Sequence, residues 1–306
     1  MSYVSRPKGL DNLHAKGIDG KGVTVAVIDS GIAQHEDFGD RIKAFRDFDA
    51  GRATPKKPID PTGHGTHIAG IIAGSSDIAD GIAPGVELVG CRIDSEEEAI
   101  RAIDWVIANK EKYSIDVLNL SLGVDAPDNP AEDEFRMAAE RAIEAGLVVV
   151  AAAGNECTAQ QCYSTISSPG ISPDVITVGA LDDKGTSRAK DDRVYSASSR
   201  GKKNGSKPDL VAEGVNILAP LAPNSTFAEG LAATADYVAL AGSSQATPMV
   251  AGTVALMLQV NPNLSHHEIK NIIKRTADKL DGVPAAAQGS GRLDIKGAVA
   301  AAKRRL

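Results

Sequence analysis

The sequence predicts an α/β fold of three layers, a mostly parallel central sheet with helices on both faces, and two observations predict it. Short apolar runs, nearly free of charge and rich in Val, Ile and Leu, alternate along the chain with stretches of helical length. Runs of that composition suit strands buried on both faces, and strand–helix alternation suits parallel pairing through crossover helices.

Taken in order, residues 23–28, 86–93, 117–120, 147–152 and 175–178 read as buried strands. Between them, residues 67–73, 95–110 and 132–144 read as helices. Ser95 followed by Glu96, Glu97 and Glu98 has the pattern of a capping box, with negative charge at the positive end of the helix dipole. Pro248 is tolerable in the first turn of a helix, so the apolar run 249–260 continues a helix with Ser244 at its N-terminus. Ser265 with Glu268 starts another capped helix. The polar stretch 186–207 reads as surface loops. No internal repeat, low-complexity tract or linker interrupts the pattern, so residues 1–306 are expected to form a single domain.

The bulk numbers bound the function. Aromatics make up 4% of the 306 residues, so the core must rest on Val, Ile, Leu and Ala. The chain carries 33 basic and 40 acidic side chains, a net charge of −7. That balance argues against nucleic acid as a partner, which calls for a basic face; Lys303, Arg304 and Arg305 read as a frayed terminus. No apolar stretch reaches 18 residues, so no membrane-spanning helix is expected. The first residues lack the apolar core of a signal peptide; the chain is expected either to stay in the cytoplasm or to be a mature domain whose leader has been removed. Cys157 and Cys162 stand close enough to pair across a short loop, and two reduced thiols fit the sequence as well; Cys91 is left alone on a strand.

In open α/β sheets, sites form outside the carboxyl ends of the strands. The first strand closes on Asp29, an acid that is costly to bury without a partner, although turn-forming is the commoner role. His64, flanked by Gly63 and Gly65, would stand at a helix start close to a neighbouring backbone. His67, three residues on, would lie inside that helix as a packing or hydrogen-bonding residue. No Glu follows in the metalloprotease pattern and no further His or Cys cluster supplies ligands, so a metal is not expected there. Asn155, after Gly154, offers an amide donor for a developing negative oxygen, yet Gly-Asn alone is a turn. Ser244 sits beside unpaired helix N–H groups, which suits a nucleophile and equally suits a simple N-cap.

Together these four segments resemble the subtilase (subtilisin-like) serine peptidases. The stretches 27–32, 64–70, 153–155 and 242–248 match the family's aspartate, histidine, oxyanion-asparagine and serine motifs, in the family's order. Residues 168–180, 207–210 and 289–294 also look like family segments, and several are most like the intracellular-type alkaline subtilases of bacilli. The resemblance implies a serine endopeptidase with Ser244 as nucleophile, His64 as general base, Asp29 as its orienting acid and Asn155 in the oxyanion hole. It implies that Ser121, Leu122 and Gly123 pair with the backbone of a protein or peptide substrate. Ala152, Ala153 and Gly154 would wall the S1 pocket, with Ser167 near its base and Glu156 at the rim. No Asp stands at that base, so medium or large uncharged P1 residues are expected. A weak pseudoprotease and a peptide ligase or transacylase are the alternatives.

The chain departs from the family pattern in places. Ser243 and Gln245 replace the usual Thr and Met beside the nucleophile, and loss of the thioether predicts tolerance to peroxide. The segment 74–82 is shorter than the loop around the family's strong calcium site. Asp37 could still match a calcium-ligating aspartate, so a structural calcium is the one metal the resemblance implies; no cofactor is implied for catalysis. The short passage from Cys91 into the following helix predicts weak S2 and S4 definition. Subtilases commonly use a propeptide, which with a protein inhibitor is an implied partner; the 28 residues before Asp29 leave no room for a propeptide domain.

Overall fold

The computed structural model describes residues 9–49, 57–186, 190–226 and 236–304. Five parallel strands make the centre of the sheet: β1 (Thr24–Asp29), β3 (Glu87–Arg92), β4 (Ile115–Leu120), β5 (Val148–Ala152) and β6 (Ile176–Asp182). The order is β3-β1-β4-β5-β6, with β2 (Ile42–Asp47) outside β3. Two further strands pair with β6: β7 (Arg193–Val194) antiparallel and β8 (Leu210–Glu213) parallel. A separate antiparallel ribbon joins β9 (Ile217–Pro220) to β10 (Tyr237–Leu240).

Helices cover both faces, as the continuous apolar strands require. Every residue of β1 is buried. Its side chains alternate with the pleat. Val25 and Val27 face one layer, which contains α2 (His64–Ala73), α5 (Ser243–Val260), α6 (His266–Thr276) and α8 (Ile295–Lys303). Ala26 and Ile28 face the other, with α3 (Glu96–Tyr113) and α4 (Glu134–Glu144). Of two short helices, α1 (Leu10–His14) puts Leu10 and Leu13 into the α2–α5 side core, and α7 (Ala285–Gln288) buries Ala286 and Ala287 apart from it. Period two therefore puts Asp29 on the α2–α5 side. α5 crosses beneath β4, β5 and β6 and is buried on nearly every side.

Local structure departs from the sequence reading in four places. β2 exposes Lys43 and Arg46 and ends on buried Asp47, so it lacks the apolar run that marks the central strands. At α3 the capping box is split: Ser95 Oγ accepts from Glu98 N–H, but the Glu98 carboxylate takes the N–H of Asp94 rather than of Ser95. Pro248 lies inside α5, in its second turn, because the helix begins at Ser243. The missing N–H is accommodated there, and Thr247 Oγ1 donates to the Ser243 carbonyl at 2.8 Å. Finally, the stretch 186–207 is only partly a surface loop. Ser198 and Ser199 are fully buried, and Lys207 is buried against Asp209; residues 187–189 lie outside the described residues. The Ser265–Glu268 box at α6 is complete.

Candidate active site

Asp29 ends β1 and His64 begins α2, and the two side chains meet: His64 Nδ1 lies 2.7 Å from Asp29 Oδ1. Ser30 N–H also donates to that oxygen, at 2.7 Å. The close approach of helix to strand depends on Gly65. A Cβ there would lie 2.0 Å from the Gly31 carbonyl oxygen and 3.0 Å from Asp29 Cβ.

A second carboxylate underlies the pair. Buried Asp60 accepts hydrogen bonds from Gly63 N–H (2.8 Å), Thr66 N–H (2.8 Å), Thr66 Oγ1 (2.7 Å) and Ser30 Oγ (2.8 Å). Ser30 Oγ in turn accepts from Gly65 N–H at 3.0 Å, which ties the start of α2 to the end of β1. Burial alone would lower the His64 pKa, but the Asp29 charge and hydrogen bond, with Asp60 behind them, raise it above 6.5. Burial pushes the Asp60 carboxyl up, against the four donors that favour its charged form. Neither Asp60 nor Ser30 was singled out from sequence. The available signal was an acid placed three residues before Gly63, the reach of a side-chain cap across a turn.

Asn155 and Ser244 meet through their neighbours. Ser243 N–H donates to Asn155 Oδ1 at 2.9 Å, which turns the Asn155 Nδ2 donor outward. Gly154 N–H donates to Ser243 Oγ at 3.1 Å. Ser244 follows in the first turn of α5, half-buried, at the positive end of a helix of 18 residues. His67 occupies the expected interior position: its Nε2 lies 3.0 Å from the Ile217 carbonyl and 3.1 Å from that of Val238. Burial drives its pKa down to about 3, so it stays neutral.

Beyond Asn155, the residues expected to wall the S1 pocket lie close together. Ser167 lies between Gly123 and Gly154. A Cβ on Gly123 would come within 2.8 Å of Ser167 Cβ, and one on Gly154 within 2.4 Å of Ser167 Oγ. Ala152 and Ala153 are buried behind it. The following loop is fastened to residues 197–201 by Glu156 N–H to Ser199 Oγ (3.0 Å) and Cys157 N–H to the Ala197 carbonyl (3.1 Å). Cys157 and Cys162 form a disulfide across its tip, and Cys91 is a buried free thiol. Ser121 is buried while Gly123 is exposed. Leu122 and Gly123 make no backbone hydrogen bond among the described residues.

Asp37 stands apart from this site. Its Oδ1 accepts from Tyr237 OH at 2.7 Å and lies 3.3 Å from His35 Nδ1; its Oδ2 accepts from Ser76 Oγ at 3.2 Å. Calcium takes six to eight oxygen ligands. A lone carboxylate already engaged by two hydroxyls and an imidazole does not fit that ion, and among the described residues no cluster of three or more acidic, His or Cys side chains could hold a metal.

A parallel α/β sheet with an acid at a strand end, a histidine bonded to it and a serine at a helix start fits the serine-hydrolase class. The profile of the Subtilase family matches residues 20–291, and the chain belongs to that family of serine proteases. It is 39% identical over 302 residues to serine protease AprX of Bacillus subtilis (strain 168), covering 92% of this chain and 67% of that one. Subtilisin BL of Lederbergia lenta is 34% identical over 271 residues, 87% of each chain. Among solved structures, a cold-adapted subtilisin-like serine proteinase superposes with a TM-score of 0.68 at 29% identity, covering 90% of this chain and 88% of that one. Fervidolysin from Fervidobacterium pennivorans, a keratinolytic enzyme related to subtilisin, gives 0.76 at 25% identity, covering 97% of this chain and 45% of its own.

Proposed function

We propose that the chain is a serine endopeptidase that cleaves peptide bonds through an acyl-enzyme on Ser244. The observation that carries the reading is the 2.7 Å bond from His64 Nδ1 to Asp29, which leaves Nε2 as the basic nitrogen of the imidazole. In this reading, Ser244 Oγ attacks the scissile carbonyl while His64 Nε2 takes its proton, and Asp29 stabilises the imidazolium. Asn155 Nδ2 and the N–H of Ser244 receive the oxyanion. His64 then protonates the leaving amine, and water repeats the sequence on the acyl group.

The free backbone groups of Leu122 and Gly123 support pairing with an extended substrate, a mode that reads main chain and favours broad specificity. The Ser167 floor, with no acid beside it, supports medium or large uncharged P1 residues. The test compares wild type with Ser244→Ala on casein and a peptide library, with a fluorophosphonate label. Wild type should label and cleave after uncharged residues. Ser244→Ala should lose both, with kcat reduced on the order of 10⁶, the scale known for subtilisin itself. Equal activity in the two proteins overturns the assignment, and cleavage only after Arg or Lys overturns the pocket reading.

A further inference from the structure

Gln245 follows the predicted nucleophile in the first turn of α5 and is 2% exposed. Among the described residues no protein group bonds its side-chain amide, while its main-chain N–H meets the Gly242 carbonyl at 3.1 Å. Its surroundings show where a partner lies. The position a Cβ would take on Gly242 is 3.2 Å from Gln245 Oε1, 3.3 Å from Asn155 Nδ2 and 3.4 Å from Asn155 Oδ1. The two carboxamides thus flank one gap, kept open because residue 242 has no side chain.

The hydrogen-bond count at Asn155 completes the argument. Its Oδ1 is taken by Ser243 N–H. Its Nδ2 carries two hydrogens. One is needed for the oxyanion, and no protein acceptor holds the other among the described residues. Gln245 Oε1 is an acceptor on the near side of the same gap, which neither a thioether nor an alkyl chain supplies with comparable strength.

We propose that Gln245 is a positioning residue for the oxyanion site: its carboxamide oxygen takes the second N–H of Asn155 across the Gly242 gap when substrate is bound. That contact fixes the Asn155 amide plane, so its remaining N–H points at the developing negative charge. The inference rests on the peptidase reading and deepens it.

A double-mutant cycle tests it, with Gln245→Leu, Asn155→Ala and the double variant measured against wild type. Active sites are counted by fluorophosphonate titration, so that misfolded protein does not enter kcat. Gln245→Leu should lower kcat about tenfold with KM unchanged, because the contact forms with the transition state. In the Asn155→Ala background the same substitution should have little further effect. Unfolding midpoints separate this from a structural role, which would shift the midpoint while leaving kcat per titrated site intact. Where wild type labels and cleaves, an equal loss in both backgrounds, a change in KM alone, or full retention of kcat by Gln245→Leu overturns this inference and leaves the peptidase reading standing. A wild type that neither labels nor cleaves overturns both.

Discussion

At the scale of the residue, the charge state of His64 is set by Asp29 in contact with it and by Asp60 one layer below. General-base catalysis needs the neutral imidazole, so activity is lost as pH falls through the His64 pKa. Because both carboxylates raise that pKa, the acid limb of kcat/KM should lie above 6.5. Asp60→Asn removes one negative charge with little change of shape, and the limb should move toward lower pH. It should also cost stability, since an amide NH2 would then face one of the donors that Asp60 accepts. A pH–rate profile checks this, and an unmoved limb would contradict it. The readings of Asp29, His64, Asn155 and Ser244 came from the resemblance of their four segments taken together, since each alone suits a turn or a cap; the structure brings Asp29 and His64 into contact. Asp60 and Ser30 were not legible in the sequence, since their roles arise only when a loop folds back beneath the start of α2.

At the scale of the element, β1 and α2 must be stacked end to end at backbone distance for the imidazole to reach the acid. Gly65→Ala should push the helix away, because the new methyl would overlap the Gly31 carbonyl. A displacement of about 1 Å at His64 is expected to cost on the order of 100-fold in kcat, with a smaller effect on KM. Steady-state kinetics on titrated enzyme test it, and near-normal kcat would show that the contact yields without moving His64. Burial explains which elements the sequence disclosed. The strands from β1 to β6 that lie inside β2 are enclosed on both faces and so are written almost wholly in apolar residues. The outer strand β2 is partly exposed and its mixed composition hides it, whereas β9 and β10 are apolar but only four residues long, and β9 ends on a proline. The interior position of Pro248 was equally hidden, since the helix start at Ser243 depends on Gly242 and Asn155, distant in sequence.

At the scale of the whole molecule, a buried ionic cluster joins β8 and the residues before it to α6. Asp209 lies 2.9 Å from Lys207 Nζ, 3.1 Å from Lys270 Nζ and 3.1 Å from Lys274 Nζ. Burial depresses the Lys207 pKa to about 7 despite the Asp209 charge. Between that value and 10.5, the unfolded chain holds a proton that the folded one has released, so this group makes stability rise with pH over the interval. The difference in unfolding midpoint between wild type and Lys207→Met should therefore grow in favour of wild type from pH 7 to 10; a constant difference would contradict it. The strand order carries a consequence of another kind. The middle strand β1 is made early in synthesis, but its partners β3 and β4 and the supporting helix α5 come from progressively later chain. A chain emerging from the ribosome thus holds its acid and its imidazole long before residue 244 exists. In the proposed reading, activity must then wait on chain order, since the Ser244 hydroxyl arrives only once β1 to β8 have been made.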